Sequence, residues 1–201
     1  MLAPQLASPL TWESNAHLPD GAVRGAKIFE LTDSRRHCAV MRLRVISTGG
    51  TIDKVYFDAA STYEVGEPQV GPVFRESNVT FDFVVESVLQ KDSLAMNDED
   101  RALIRARVEA SPEKLILITH GTDTMTATAA KLEGLQGKVI VFTGSMQPAR
   151  FRNSDAVFNL GCAVGALQVL PPGVYIAMNG VVAPASQMKK NRAASRFEPK
   201  A

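Results

Sequence analysis

Four short, nearly unbroken apolar runs constrain this chain most: residues 43–47, 115–119, 139–143 and 174–178, with helix-like stretches between them. Runs of this length suit strands buried on both faces, and strands that alternate with helices are joined by crossovers into a parallel sheet. The expected class is therefore α/β: an open, mainly parallel sheet with helices on both faces.

The intervening segments carry helix punctuation. Asn97 or Asp98 is placed to cap a helix with Glu99 and Asp100 in its first turn, an apolar stripe of Leu103, Ile104 and Val108, and an end before Pro112. A second helix is expected from about Thr124 to about Gly134. A third is expected from about Ser154 to Leu170, where Pro171-Pro172 stops it. Gly161, Ala163, Gly165 and Ala166 would let this last helix lie close to the sheet. The acids Glu86, Asp98 and Glu99 need no catalytic explanation beside helix starts, and Cys162 reads as packing.

Residues 1–40 show no sustained period, and the pattern tightens at Met41, a candidate start. They are read as a flexible amino-terminal extension, and residues 41–201 as one domain; 201 residues with 45% apolar content suffice for a single core. A net charge of +1 provides no basic stripe for nucleic acid, and no run reaches the roughly 20 apolar residues of a membrane span. Cys38 and Cys162 form no disulfide framework, and the first 20 residues lack a signal-peptide pattern, so a cytoplasmic protein is expected.

In parallel sheets ligands gather at the carboxyl ends of strands. After the first run comes Ser47-Thr48-Gly49-Gly50-Thr51-Ile52-Asp53, where paired glycines permit a sharp turn that presents hydroxyls. Alone this is a weak signal, and it lacks the lysine and spacing of a phosphate-binding loop. After the second run comes His120-Gly121-Thr122-Asp123-Thr124, opening a helix; a cap would explain one polar residue there. A second hydroxyl-rich turn in the same small sheet points to a shared ligand.

Together, Thr48-Gly49-Gly50-Thr51-Ile52 and His120-Gly121-Thr122-Asp123-Thr124-Met125 resemble the two signatures of the bacterial-type L-asparaginase family. The resemblance runs from about Met41 nearly to the end, through Ser61-Thr62-Tyr63-Glu64-Val65-Gly66, Asp92-Ser93 with Met96, Gly144-Ser145-Met146-Gln147-Pro148 and Phe158-Asn159-Leu160. It implies the amino-terminal catalytic half of the family fold, without the smaller second domain. It also implies hydrolysis of L-asparagine to L-aspartate and ammonia, with neither metal nor organic cofactor. By the resemblance Thr51 is the nucleophile and Tyr63 the loop tyrosine that activates it. Thr122 and Asp123 form a second catalytic set, and Gly50, Asp92, Ser93 and Gly121 bind substrate. The small-molecule substrate is the expected partner, together with further copies of the chain in a homo-oligomer.

The family's second set includes a lysine that counting places late in the third helix, where this chain has Leu170. Lys189 is taken as its replacement, with Lys190 and Lys91 as further candidates. Leu94 and Ala95 stand where polar residues follow the substrate-binding serine, which leaves asparagine against glutamine open. His120 reads as a scaffold residue. The alternatives are a glutaminase, an amidotransferase-type amide hydrolase, and an amino-acid-binding module without turnover.

Overall fold

The computed structural model describes residues 41–57 and 62–200. The extension expected over residues 1–40 lies outside the described residues. The four apolar runs form parallel strands: β1 (Arg42–Gly49), β5 (Leu115–Thr119), β6 (Val139–Thr143) and β7 (Gly173–Met178). They are joined at one edge by parallel β4 (Asp82–Lys91) and at the other by antiparallel β8 (Val181–Pro184), in the order β4-β1-β5-β6-β7-β8. Two small hairpins complete the strands: β2 (Lys54–Phe57) with β3 (Thr62–Val65), and β9 (Met188–Asn191) with β10 (Arg196–Pro199).

Strand side chains alternate between two cores. Leu43, Val45, Leu117 and Val141 pack with α1 (Val70–Glu76) and α4 (Ala156–Val169). Ile46, Ile116, Ile118, Ile140 and Phe142 pack with α2 (Asp98–Ala110) and α3 (Met125–Lys131) on the other face. Helices thus cover both faces, and this double burial is why the four runs read as continuous apolar segments.

The helix expectations hold at their starts more closely than at their faces. Asn97 caps α2 in a reciprocal box: its side chain accepts from the Asp100 amide while Asp100 accepts from the Asn97 amide. Ile104 and Val108 are fully buried, but Leu103 is exposed. Ending at Lys131, α3 is shorter than expected. In α4, Ala163 and Ala166 face the core as expected, whereas a side chain at Gly161 or Gly165 would project into open space. Among the described residues no helix is long and apolar enough to cross a membrane.

Candidate active site

The strand order places three turns side by side. β1 pairs with β4 on one side and β5 on the other, so the segments after Gly49, Lys91 and Thr119 emerge together at the carboxyl edge. The first is Gly50-Thr51-Ile52-Asp53, with Thr51 to Asp53 in a 3-10 turn; the second is Asp92-Ser93, and the third His120-Gly121-Thr122-Asp123.

Glycine permits this convergence. Gly50 has φ 89° and ψ −170°, a conformation reserved almost entirely for glycine, and a Cβ there would overlap the backbone of Gly121. A Cβ on Gly121 would in turn lie 2.6 Å from Ser93 Oγ. The Gly50 amide donates to Lys91 O at 3.0 Å, Thr48 Oγ1 donates to Thr119 O at 3.0 Å, and Thr124 Oγ1 donates to Ser93 O at 2.7 Å. Gly50, Ser93 and Gly121 are therefore brought together, with Thr51 and Thr122 adjacent to them in the chain.

Thr122 and Asp123 meet an amine. Lys190 Nζ donates to Thr122 Oγ1 at 2.7 Å and to Asp123 Oδ1 at 2.9 Å. The sequence expectation is off by one residue: Lys189 Nζ turns away and lies 3.8 Å from Glu198 Oε1. Neighbours on a strand point to opposite faces, and Met188, fully buried, fixes Lys190 as the inward member of β9. Of the other candidates, Lys91 is bound to both Asp100 carboxylate oxygens at 2.8 and 2.9 Å, and Leu170 packs against the core at the end of α4. A buried methionine two residues before Lys190 was the available signal, but it carries information only once the segment is known to be a strand.

Asp92 joins the site from its rim. Its Oδ2 accepts from Lys54 Nζ at 2.9 Å and its Oδ1 accepts from the Leu94 amide. The Lys54 hydrogen bond holds its carboxyl below the usual range, reinforced by the Leu94 amide. Arg192 Nε lies 3.6 Å from Asp123 Oδ1, so that carboxylate faces two cations.

Tyr63 sits on β3 of the hairpin that leaves the Thr51 turn, across from Tyr56. Its half-exposed ring meets Tyr56 and Phe151 edge-on, with centroids 5.5 and 6.2 Å away. His120 is fully buried, with Nδ1 2.7 Å from Gly121 O and Nε2 2.8 Å from Thr128 Oγ1. The carbonyl accepts from Nδ1–H, so Nε2 accepts from the Thr128 hydroxyl in the neutral ring. Burial pulls the imidazole down to about 4. A neutral ring with both nitrogens occupied is a brace, in keeping with the scaffold reading.

Asp53 had no expected role. It is 1% exposed, and its carboxylate accepts from Ser47 Oγ at 2.9 Å and from the Gln69 amide at 2.8 Å. Among the described residues no three His, Cys, Asp and Glu side chains gather as a metal site. The arrangement combines a hydroxyl-bearing turn, backbone amides at glycine turns and a second hydroxyl held by a lysine, parts that acyl transfer can use.

Comparison with known proteins gives this arrangement a family. The profile described as "Asparaginase, N-terminal" matches residues 42–198. The chain is 35% identical over 147 residues to an L-asparaginase of Thermococcus kodakarensis, covering 68% of this chain and 44% of that protein. It is 32% identical over 149 residues to a glutaminase-asparaginase of Pseudomonas fluorescens biotype A, covering 67% and 41% respectively. Among solved structures, L-asparaginase I of Vibrio cholerae superposes with a TM-score of 0.71 at 25% identity, covering 80% of this chain and 52% of that one. This chain thus spans less than half the length of these two relatives and about half of the solved chain. With the profile spanning nearly all of the described residues, the chain belongs to the asparaginase amino-terminal-domain family.

Proposed function

We propose that this chain carries the acyl-transfer site of an L-asparaginase, which hydrolyses L-asparagine to L-aspartate and ammonia through an acyl-threonine. The observation that carries this reading is the convergence of Thr51, Ser93 and the Lys190-bound Thr122–Asp123 pair at three neighbouring strand ends. Thr51 Oγ attacks the side-chain amide carbonyl and gives up its proton toward Tyr63. Amides of the glycine turns receive the developing oxyanion. The tetrahedral species expels ammonia, which takes up a proton, and leaves an ester on Thr51. Water activated at the Thr122 side then cleaves this ester, releasing aspartate and restoring the hydroxyl.

In this reading Lys190 orients Thr122 and compensates Asp123, while Ser93 and Asp92 contact the amino-acid end of the substrate. Tyr63 approaches Thr51 when the hairpin closes over bound substrate. A cytoplasmic setting and assembly with copies of itself belong to the same reading, on the sequence grounds given above.

A glutaminase is the second reading. Leu94 is 67% exposed beside Ser93 and offers no polar contact to fix the length of the substrate, and one relative is named a glutaminase-asparaginase. The test is ammonia release from L-asparagine, L-glutamine and D-asparagine by the purified chain and by Thr51→Ala. Release from L-asparagine that the variant lacks supports the proposal. A preference for L-glutamine favours the second reading, and release by the variant at the wild-type rate removes Thr51 as nucleophile.

A further inference from the structure

The turn that carries Thr51 is clasped from three sides, and Asp53 is at the centre of the clasp. The Asp53 amide donates to Gly50 O at 3.2 Å, closing the turn on itself. Its carbonyl accepts from the Gly66 amide at 2.9 Å, where the β2–β3 hairpin returns. Its carboxylate accepts from Ser47 Oγ on β1 and from the Gln69 amide just before α1. The Gln69 side chain continues the chain of contacts: its Oε1 accepts from Arg150 Nε at 3.0 Å. Arg150 belongs to the loop after β6, whose Ala149 amide donates to Ile52 O at 3.0 Å and whose Phe151 meets the Tyr63 ring.

A buried carboxylate is costly unless its hydrogen bonds are made, and here both oxygens have a buried donor that a valine or alanine would leave unpaired. Both acceptor atoms of Asp53 are spent on holding backbone and side chain at the root of one hairpin. That hairpin bears Tyr63, and its first strand begins where the Thr51 turn ends.

We infer that Asp53 is a positioning residue: its ionised carboxylate, by gripping Ser47 and the Gln69 amide, fixes the return of the Tyr63 hairpin relative to the Thr51 turn. The inference rests on the acyl-transfer reading for its effect on rate, though the grip itself does not. The ionised form is the stronger acceptor, so protonation loosens the grip. Burial raises this carboxyl to about 6, opposed by the Gln69 amide and the Ser47 hydroxyl, so the change falls within the range of enzyme assays. The charged groups facing it are few. Glu67, ahead of α1, adds to the upward pull; Lys54 turns its amine to Asp92; Arg150 reaches Asp53 only through Gln69.

The test combines ammonia release between pH 5 and 8.5 with amide hydrogen exchange, on the full chain and on Asp53→Ala and Asp53→Asn. Asp53→Ala should speed exchange at Gly66 and Gln69, leave β5 and β6 protected, and lower kcat at least about tenfold with little change in KM. Asp53→Asn retains an acceptor for the Gln69 amide and serves as the folded control. It should leave β5 and β6 as protected as in wild type, exchange at Gln69 at a rate between those of wild type and Asp53→Ala, and lack the several-fold fall in kcat expected of wild type below about pH 6. Unchanged exchange in Asp53→Ala overturns the grip. Faster exchange with unchanged kcat, or an acid limb that persists in Asp53→Asn, overturns its role in catalysis. Silence of the wild type toward every amide defeats the acyl-transfer reading instead, and the exchange results still decide the grip.

Discussion

Lys190 Nζ donates to Thr122 Oγ1 at 2.7 Å across a contact that joins the β9–β10 hairpin to the turn after β5. The same amine holds Asp123 Oδ1 at 2.9 Å, so one cation sets the position of two side chains in the site.

Lys190→Met should therefore lower kcat by about 100-fold or more, within the range lost with a proton-handling or orienting group. Lys189→Met removes only the longer contact to Glu198 and should leave kcat near wild type. Steady-state assays of the two variants side by side check this, and equal losses would return the role to the hairpin as a whole.

The difference between the two lysines shows where the sequence stops being readable. The four central strands are legible because burial on both faces leaves them almost wholly apolar, with Arg44 near the start of β1 and hydroxyl residues toward the carboxyl ends of β1, β5 and β6 as exceptions. β4 is not: as an edge strand it mixes Asp82, Glu86, Ser87, Gln90 and Lys91 with half-buried apolar residues, and no run stands out. The glycine turns are legible as motifs, and the closeness of Gly50 to Gly121 follows once β1 and β5 are neighbours. Lys190 and Asp53 are hidden for different reasons. Lys190 depends on the phase of a four-residue strand, and Asp53 on contacts with Ser47 and Gln69 that turn geometry alone creates.

Gly50→Ala should destabilise the domain by about 2–4 kcal/mol, since a Cβ combines a glycine-only backbone conformation with overlap on Gly121. Gly134→Ala is the control: φ is also positive, at 84°, but the space beside it is open, and about 1 kcal/mol is expected. Denaturant midpoints of the two variants measure the contrast. If the costs match, contact between the two strand-end turns is not what Gly50 protects.

Tyr63→Phe should reduce kcat while leaving stability within about 0.5 kcal/mol, because a half-exposed ring keeps its edge contacts with Tyr56 and Phe151 after losing only its hydroxyl. Phe151→Ala keeps the hydroxyl and removes one wall of the aromatic cluster. It should raise KM through a less ordered hairpin, a different signature from the loss in kcat. Kinetics that cannot separate the two variants would assign both residues to packing.

Asp53 and His120 should give the domain opposing pH dependences. For Asp53 the folded value, about 6, lies above the ordinary 3.8, so the folded state holds the extra proton between these values. Its contribution is full below 3.8 and is lost as pH rises through about 6, amounting to about 3 kcal/mol at most. His120 is pulled from 6.5 to about 4, so the unfolded chain holds the extra proton, and stability falls as pH drops below 6.5. In wild type the two slopes largely offset each other between about pH 4 and 6. Asp53→Asn removes one of them. The variant should gain on wild type steadily from pH 4 to 7 in urea unfolding, and its own stability should climb over that interval as the His120 slope is left unopposed. A variant that gains stability at neutral pH while losing kcat would identify Asp53 as a charge kept for the site at the expense of the fold. A constant difference between the two proteins from pH 4 to 7 would mean that the carboxyl titrates alike in folded and unfolded chains.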